Sequence, residues 1–128
     1  MDPLSFKVVA TLAAQRFVSA IAGTANAVEY PPSGNVLPIG ITLQDVKDAT
    51  QAIPVAGVDQ IVPLLFNDTV AAGSLVASDS SGRGIAFALA ATTTALTLPS
   101  AYGGILMDAA VALTGTVAKV LVRPGFIK

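Results

Sequence analysis

The sequence predicts an all-β protein: a small single-domain β-barrel or β-sandwich with at most one or two short helical turns. Apolar and polar residues alternate with a period of two over most of the chain, and β-branched residues are frequent in these stretches. Glycine, proline, asparagine and aspartate separate the stretches, as expected for turns. The 128 residues correspond to one domain, and the pattern accommodates about eight to ten short strands.

The first two predicted strands are SFKVVATL, residues 5–12, and QRFVSAIAG, residues 15–23. In the second strand, alternation places Phe17, Ser19 and Ile21 on one face and Arg16, Val18 and Ala20 on the other. We expect residues 1–14 to form an N-terminal strand or arm and residues 15–128 to form the single β domain. An alternating terminal segment of this kind can add a strand to the sheet edge of a neighbouring subunit.

The next part of the chain contains a loop, an extended segment and a polar connector. YPPSGN, residues 30–35, predicts a loop because its two prolines lack N–H donors and its glycine permits a positive φ. Residues 36–43 return to extended chain. Residues 44–51, QDVKDATQ, have helical residue types but are too few for more than one or two turns, so we interpret them as an exposed connector.

Residues 52–66 predict strand again, with a bend at Gly57. Pro54 and Pro63 lie within this stretch, and prolines are expected at sheet edges or strand starts because they cannot donate to a ladder. Residues 67–74 predict a turn followed by a short helical or 3₁₀ corner before Gly73.

Two hairpins are predicted in the second half. In the first, SLVAS and IAFALA flank the turn DSSGRG, where Asp79 bonds neighbouring N–H groups and Gly82 and Gly84 adopt left-handed angles. The second spans residues 102–125, with a break at Gly115 and a closing strand, TVAKVLVR. In that strand Ala118, Val120 and Val122 face one way, and Lys119, Leu121 and Arg123 face the other.

The composition predicts a surface with few charges. Hydrophobic residues make up 53% of the chain and charged residues only 12%, against about 25% charged residues in an average domain. Such a surface is either buried against other subunits or in contact with lipid. Alternating apolar strands with few charges resist edge-to-edge pairing poorly, which favours a symmetric oligomer over an isolated monomer.

Charge argues against nucleic acid as a partner. The formal net charge is −1, and the seven basic residues are spread along the chain, whereas a phosphate-binding face needs several cations together. The absence of Cys excludes disulfides and thiolate metal sites, and the absence of His removes the commonest general base and metal ligand.

Two segments resemble export or membrane signals, but neither fits well. Residues 1–27 contain an apolar stretch and an Ala-x-Ala sequence, yet Asp2 and Arg16 are incompatible with a signal peptide. Residues 84–107 are uncharged and long enough to span a bilayer. Their threonines, Pro99 and paired glycines instead predict strand, turn and strand, so we expect no membrane contact.

Candidate chemical groups are few, and each has a structural interpretation. Asp45 and Asp48 fit a solvated connector better than an acid–base pair. DSSGRG lacks the strand–loop–helix context of a phosphate-binding loop, and nucleophilic attack by a serine would need a desolvated lysine as its base. These serines and lysines are Ser80, Ser81, Lys7 and Lys119.

Two further patterns are equally unspecific. Asn67-Asp68-Thr69 matches a glycosylation acceptor, but a turn explains it. Asp48, Asp59 and Asp68 lack the spacing of a calcium loop. We therefore expect no enzyme activity and no catalytic, cofactor-binding or metal-binding residues.

Three segments carry a resemblance to a known family. They are PIGITLQD (residues 38–45), TVAAGSLVASDSSGRGIAFA (69–88) and GGILMDAAVALTGTVAKVLVRPG (103–125). With this order of elements, most of residues 16–125 resembles the small capsid cement or head decoration proteins of tailed bacteriophages. The chain departs from that pattern at Ser74, where an acidic residue is commoner, and in its 23-residue opening.

The resemblance implies a structural virion protein, made in the host cytoplasm, that binds the major capsid protein on the outer surface of the shell. It also implies self-association, commonly as a homotrimer at local symmetry axes. The alternatives are another self-assembling β subunit, such as a tail-tube, head-completion or surface-layer protein, and a small barrel enzyme or ligand-binding domain.

Overall fold

The computed structural model describes residues 4–8, 11–21, 23–32, 36–46, 52–87, 100–108 and 115–127. These residues form ten β-strands and no helix, so the all-β prediction is confirmed. The strands are β1 (Leu4–Val8), β2 (Phe17–Ala20), β3 (Ala27–Glu29), β4 (Gly40–Thr42), β5 (Ala52–Ala56), β6 (Ile61–Leu65), β7 (Leu75–Ser78), β8 (Gly84–Ala86), β9 (Ser100–Leu106) and β10 (Val117–Ile127).

The first five strands form a closed barrel in the order β1-β3-β2-β4-β5. β1 is parallel to β3 and antiparallel to β5, where Leu4 pairs with Val55. Both neighbours of β1 belong to its own chain, so adding this strand to another subunit would require these pairings to open. The boundary at residue 14 stays a prediction.

The last five strands form a second sheet in the order β6-β10-β9-β7-β8, with antiparallel pairing throughout. The two outer strands of this sheet meet at one end, because Phe66, directly after β6, forms a parallel bridge with Gly84 of β8. The sheet is therefore strongly curved. β10 contains a register shift between Val122 and Gly125, which accommodates Pro124 where the ladder is interrupted.

Two hydrophobic cores fill the structure. The barrel core consists of Val8, Leu12, Val18, Val28, Val46, Ile53 and Val55. The second core consists of Phe17, Ile41, Leu64, Phe66, Val70, Val76, Leu106, Ala118, Val120 and Val122. β2 supplies both cores, because Val18 points into the barrel and Phe17 points the opposite way, against the second sheet.

β2 is buried on both of its faces. Phe17, Val18 and Ser19 are all buried, although alternate residues do face opposite sides, as predicted. Two-sided burial arises because the barrel encloses one face and the second sheet covers the other. Complete burial of a Phe or Val side chain contributes about 1.5–3 kcal/mol, so β2 stabilises both halves.

The segment between β1 and β2 connects the barrel to the second sheet. Every backbone N–H from Leu12 to Phe17 donates a hydrogen bond. The acceptors, in order, are Val46 O, Tyr30 Oη, Asp45 Oδ1, Thr42 O, Thr42 Oγ1 and Gly82 O. Gln15 has a positive φ of 62°, and its carbonyl accepts from Leu65 N at 2.9 Å. This segment is thus fixed to both sheets.

Both predicted hairpins form, with one correction. In the β7–β8 turn, Asp79 Oδ1 accepts from Ser81 N and Arg83 N, each at 2.9 Å, and Gly82 has a φ of 78°. Gly84 does not adopt a left-handed angle. It belongs to β8, and a side chain there would lie 2.8 Å from Leu64 and Phe66, so close packing explains this glycine.

The second hairpin consists of β9 and β10, and Gly115 has a φ of 88° before the closing strand. Ala118, Val120 and Val122 share a face, as predicted, and that face is buried. Pro63 lies in an outer strand of its sheet, as expected, but Pro54 does not, because β5 pairs on both sides. Within 67–74 the described backbone contains a turn at Gly73 and not the predicted helical corner.

The predicted bend at Gly57 is present, since β5 ends at Ala56 and β6 begins at Ile61. Of the connector 44–51, residues 47–51 lie outside the described residues, as do residues 88–99 of the uncharged stretch. In the described part of the chain, no helix is long and apolar enough to cross a membrane.

Candidate interaction surface

An apolar row crosses the face of the second sheet that points away from its core. Ile61, Leu121, Ile105 and Leu75 are successive cross-strand partners on β6, β10, β9 and β7. Cross-strand partners share a face, and the neighbours of these residues along each strand are core residues such as Val120 and Leu106. Ile61 is 54% exposed, and the other three side chains are half-buried.

The same face extends to both sides of this row. We call the whole surface the apolar face and define it as Ile61, Pro63, Leu65, Leu75, Ile105, Met107, Val117, Lys119 and Leu121. Val117 is 44% and Met107 51% exposed. Lys119 is its one charged member. An antiparallel sheet with a solvated face normally carries polar residues there, so this composition indicates a surface that contacts another molecule.

The margin of the apolar face carries both signs of charge. Arg123 Nη2 donates to Asp59 Oδ1 at 2.9 Å beside the turn that precedes β6. At the other margin, Asp108 Oδ2 accepts from the backbone N–H of Lys119 at 3.2 Å. Two carboxylates and two cations therefore surround or interrupt the face, and their charges balance.

The serines and lysines considered as nucleophiles and bases lie on different elements. Ser80 and Ser81 belong to the β7–β8 turn, where Ser81 donates through its N–H to Asp79 and accepts through its carbonyl from Arg16 Nη1 at 3.1 Å. Lys7 lies on barrel strand β1 and Lys119 on the apolar face of β10. These positions are those of a hairpin turn and two exposed strand residues.

The acidic candidates have structural hydrogen bonds. Asp45 accepts from Ala14 N at 2.7 Å, and Asp68 accepts from Thr69 N and Ala86 N. Asp48 lies outside the described residues. The side chain of Asn67 donates to Asp79 Oδ2 at 3.2 Å, in agreement with a turn at Asn67-Asp68-Thr69. Over the ranges that the structure describes, no three potential metal-ligating side chains lie together.

A shallow cleft of about 290 Å³ lies beside the segment that joins β1 to β2. It is lined by Thr11, Leu12, Ala13, Tyr30, Asp45 and Val46. Two of its three polar side chains, those of Tyr30 and Asp45, already accept hydrogen bonds from Ala13 N and Ala14 N, which makes the cleft part of the connection between barrel and sheet.

Comparison with known proteins identifies the architecture. The N base of head fiber gp8.5 in bacteriophage phi29, known from a crystal structure, matches with a TM-score of 0.67 over 94% of this chain and 92% of the other. The chain has the fold of this head fiber base. Sequence identity is 11%, so the likeness is one of fold. No family model and no curated protein matches the sequence.

The apolar face was not among the predicted sites. Alternation in TVAKVLVR does assign Lys119 and Leu121 to one side of the strand, but the row depends on how four strands align. In a fold of the head fiber base type, as in any sheet, that register is set by long-range pairing. The local signal is the absence of charge throughout β6, IVPLL.

Proposed function

We propose that the chain is a structural virion protein that binds the outside of a phage capsid shell and stabilises it. The main observation that supports this proposal is the fold that the chain shares with the phi29 head fiber base over nearly the whole of both chains. The proposal includes the major capsid protein as partner, the capsid outer surface as location, and no enzyme activity, nucleic acid or membrane contact.

The apolar face supports the proposal because it supplies a surface for association. We assign that face to contacts between copies of this chain, in homotrimers as the resemblance to cement proteins implies. The balanced charges in and around the face, Asp59, Asp108, Lys119 and Arg123, complement a rotated copy of the face better than a partner of one charge sign. Apolar burial at about 25 cal/mol per Å² would supply the association energy, and symmetry would repeat it at each contact.

A base for a projecting fiber is a second candidate, because the matching protein is a head fiber base. Both candidates bind a head, and they differ in what binding does. A cement protein raises the resistance of the shell to heat or force, whereas a fiber base occupies the shell without that effect.

The test adds purified protein to expanded shells that lack it and measures stoichiometry and the melting temperature of the shell. We expect saturable binding and a higher melting temperature. A saturable stoichiometry with an unchanged melting temperature would favour the fiber base. Failure to bind expanded shells would reject both.

Matched variants test the apolar face. Ile61→Glu and Val117→Glu place a charge on exposed positions of that face, and burying it against a second copy is unfavourable. We expect each variant to raise the dissociation constant of the oligomer at least about tenfold, as measured by analytical ultracentrifugation. Leu43→Glu, at a 37% exposed position beside barrel strand β4, is the control and should behave like the parent protein. Equal effects of all three variants would contradict the assignment.

A further inference from the structure

β8 is an outer strand of the second sheet, and one of its two edges points away from β7. Arg83 O accepts from Asp79 N, and Phe87 N donates to Leu75 O, so the residues bonded to β7 are the odd-numbered ones. Backbone groups of alternate residues point to opposite sides of a strand. Gly84 and Ala86 therefore present their N–H and C=O groups at that edge.

The segment after β6 occupies this edge. Asn67 N donates to Gly84 O at 2.9 Å, and Asp68 Oδ2 accepts from Ala86 N at 3.1 Å. Phe66 forms the bridge to Gly84. The bond from Ala86 N to Asp68 is made by a side chain, and both residues are exposed there.

Three contacts hold the segment in place. The ring of Phe66 is fully buried in the second core, and Gly84 allows it to approach the strand closely. The side-chain amide of Asn67 donates to Asp79 Oδ2 at 3.2 Å. Asp68 Oδ1 accepts from the N–H of Thr69 at 2.8 Å, which orients the carboxylate so that its second oxygen reaches Ala86.

The other outer strand is protected by different means. Leu65 N donates away from β10, to Gln15 O at 2.9 Å, and Pro63 lies two residues earlier on the same side with no N–H to offer. The expectation of poorly protected sheet edges is thus wrong for these two strands. Proline and inward-bonded or charged residues are known means of blocking strand addition.

We propose that Asp68 protects the β8 edge: its carboxylate binds the N–H of Ala86 and prevents a second copy of this chain from pairing with this strand. This role of Asp68 goes beyond the proposed function, because it determines that copies associate through sheet faces and not through strand edges. Its position at the exposed end of the edge makes it the group whose loss frees Ala86 N for an incoming strand.

The test compares Asp68→Ala with Asp68→Asn, which retains a side-chain oxygen as acceptor, and with Asp59→Ala, which removes an exposed carboxylate far from this edge. Hydrogen exchange of the Ala86 amide and sedimentation velocity are measured on each protein. We expect Asp68→Ala to exchange about tenfold faster at Ala86 and to form larger species as concentration rises. The other two variants should match the parent protein.

A double variant separates edge pairing from general destabilisation. Asp68→Ala with Ala86→Pro removes the exposed N–H itself, a change that an outer strand tolerates at an outward position. We expect the double variant to return to the sedimentation profile of the parent. The proposal is overturned if Asp68→Ala leaves size and exchange unchanged, if Asp59→Ala produces the same growth, or if the double variant still forms the larger species.

Discussion

A buried hydroxyl, that of Thr42, makes two of the hydrogen bonds that hold the segment between the barrel and the second sheet. Thr42 Oγ1 donates to Ala13 O at 2.7 Å and accepts from Arg16 N at 3.1 Å. The side chain is almost fully buried, so water cannot replace these bonds. Thr42 Oγ1 is thus one of the groups that determine the geometry of the connection, and it both donates and accepts within it.

Replacing Thr42 with Val keeps the shape of the side chain but removes both bonds. Buried groups left without partners cost about 1–3 kcal/mol, and we expect that loss in the free energy of unfolding, measured by chemical denaturation. Thr24→Val, at an exposed position, is the matched control and should change stability by less than about 0.5 kcal/mol. A Thr42→Val protein as stable as its parent would contradict the role of this hydroxyl.

At the scale of elements, β2 reaches β9 through one side chain, because the ring of Phe17 lies directly against the backbone of Gly103. The ring of Phe17 occupies the space that a side chain at position 103 would need, so only glycine fits there. Close packing of this kind brings β2 against the second sheet and buries Phe17 completely.

Gly103→Ala should therefore destabilise the protein by about 1–3 kcal/mol through overpacking, measured by thermal and chemical denaturation. Gly57→Ala is the matched control, because nothing lies within 4 Å of the added carbon and Gly57 lacks a left-handed φ. It should be neutral or stabilise by up to about 1 kcal/mol. Phe17→Leu removes the ring that occupies the space beside position 103. In the double variant, Gly103→Ala should therefore cost less stability than it does alone.

Elements were predicted from sequence where local chemistry determines them. The bonds of Asp79 within the β7–β8 turn, the positive φ at Gly82 and the buried positions of β10 all depend on nearby residues. Gly84, Pro54 and the apolar face were misassigned or missed, because close packing, barrel closure and strand register depend on partners far along the chain. For the same reason the hydrogen bond from Ala86 N to Asp68 was not predicted, because the fold of the second sheet is what brings these two residues together.

At the scale of the whole molecule, the barrel and the second sheet share Phe17 and Ile41 in one core. The connecting segment bonds to both, through Thr42 on one side and Gly82 and Leu65 on the other. Neither half buries its apolar surface alone, so the two should behave as one cooperative unit.

We therefore expect a single unfolding transition, with equal calorimetric and van't Hoff enthalpies at protein concentrations where the chain is monomeric. Thr42→Val, which perturbs the connection, and Gly103→Ala, which perturbs the second sheet, should both lower the midpoint of that same transition. Two separable transitions, or a midpoint that splits in either variant, would show that the halves unfold independently.

The place of β1 in the barrel has a consequence for synthesis of the chain. β1 leaves the ribosome before the other four barrel strands, yet one of its two partners is β5, and Leu4 must meet Val55. The barrel cannot close until residue 56 has emerged, and pairings between distant residues form slowly. Among the five barrel strands, β1 is thus the first to emerge and the one that waits longest for its second partner.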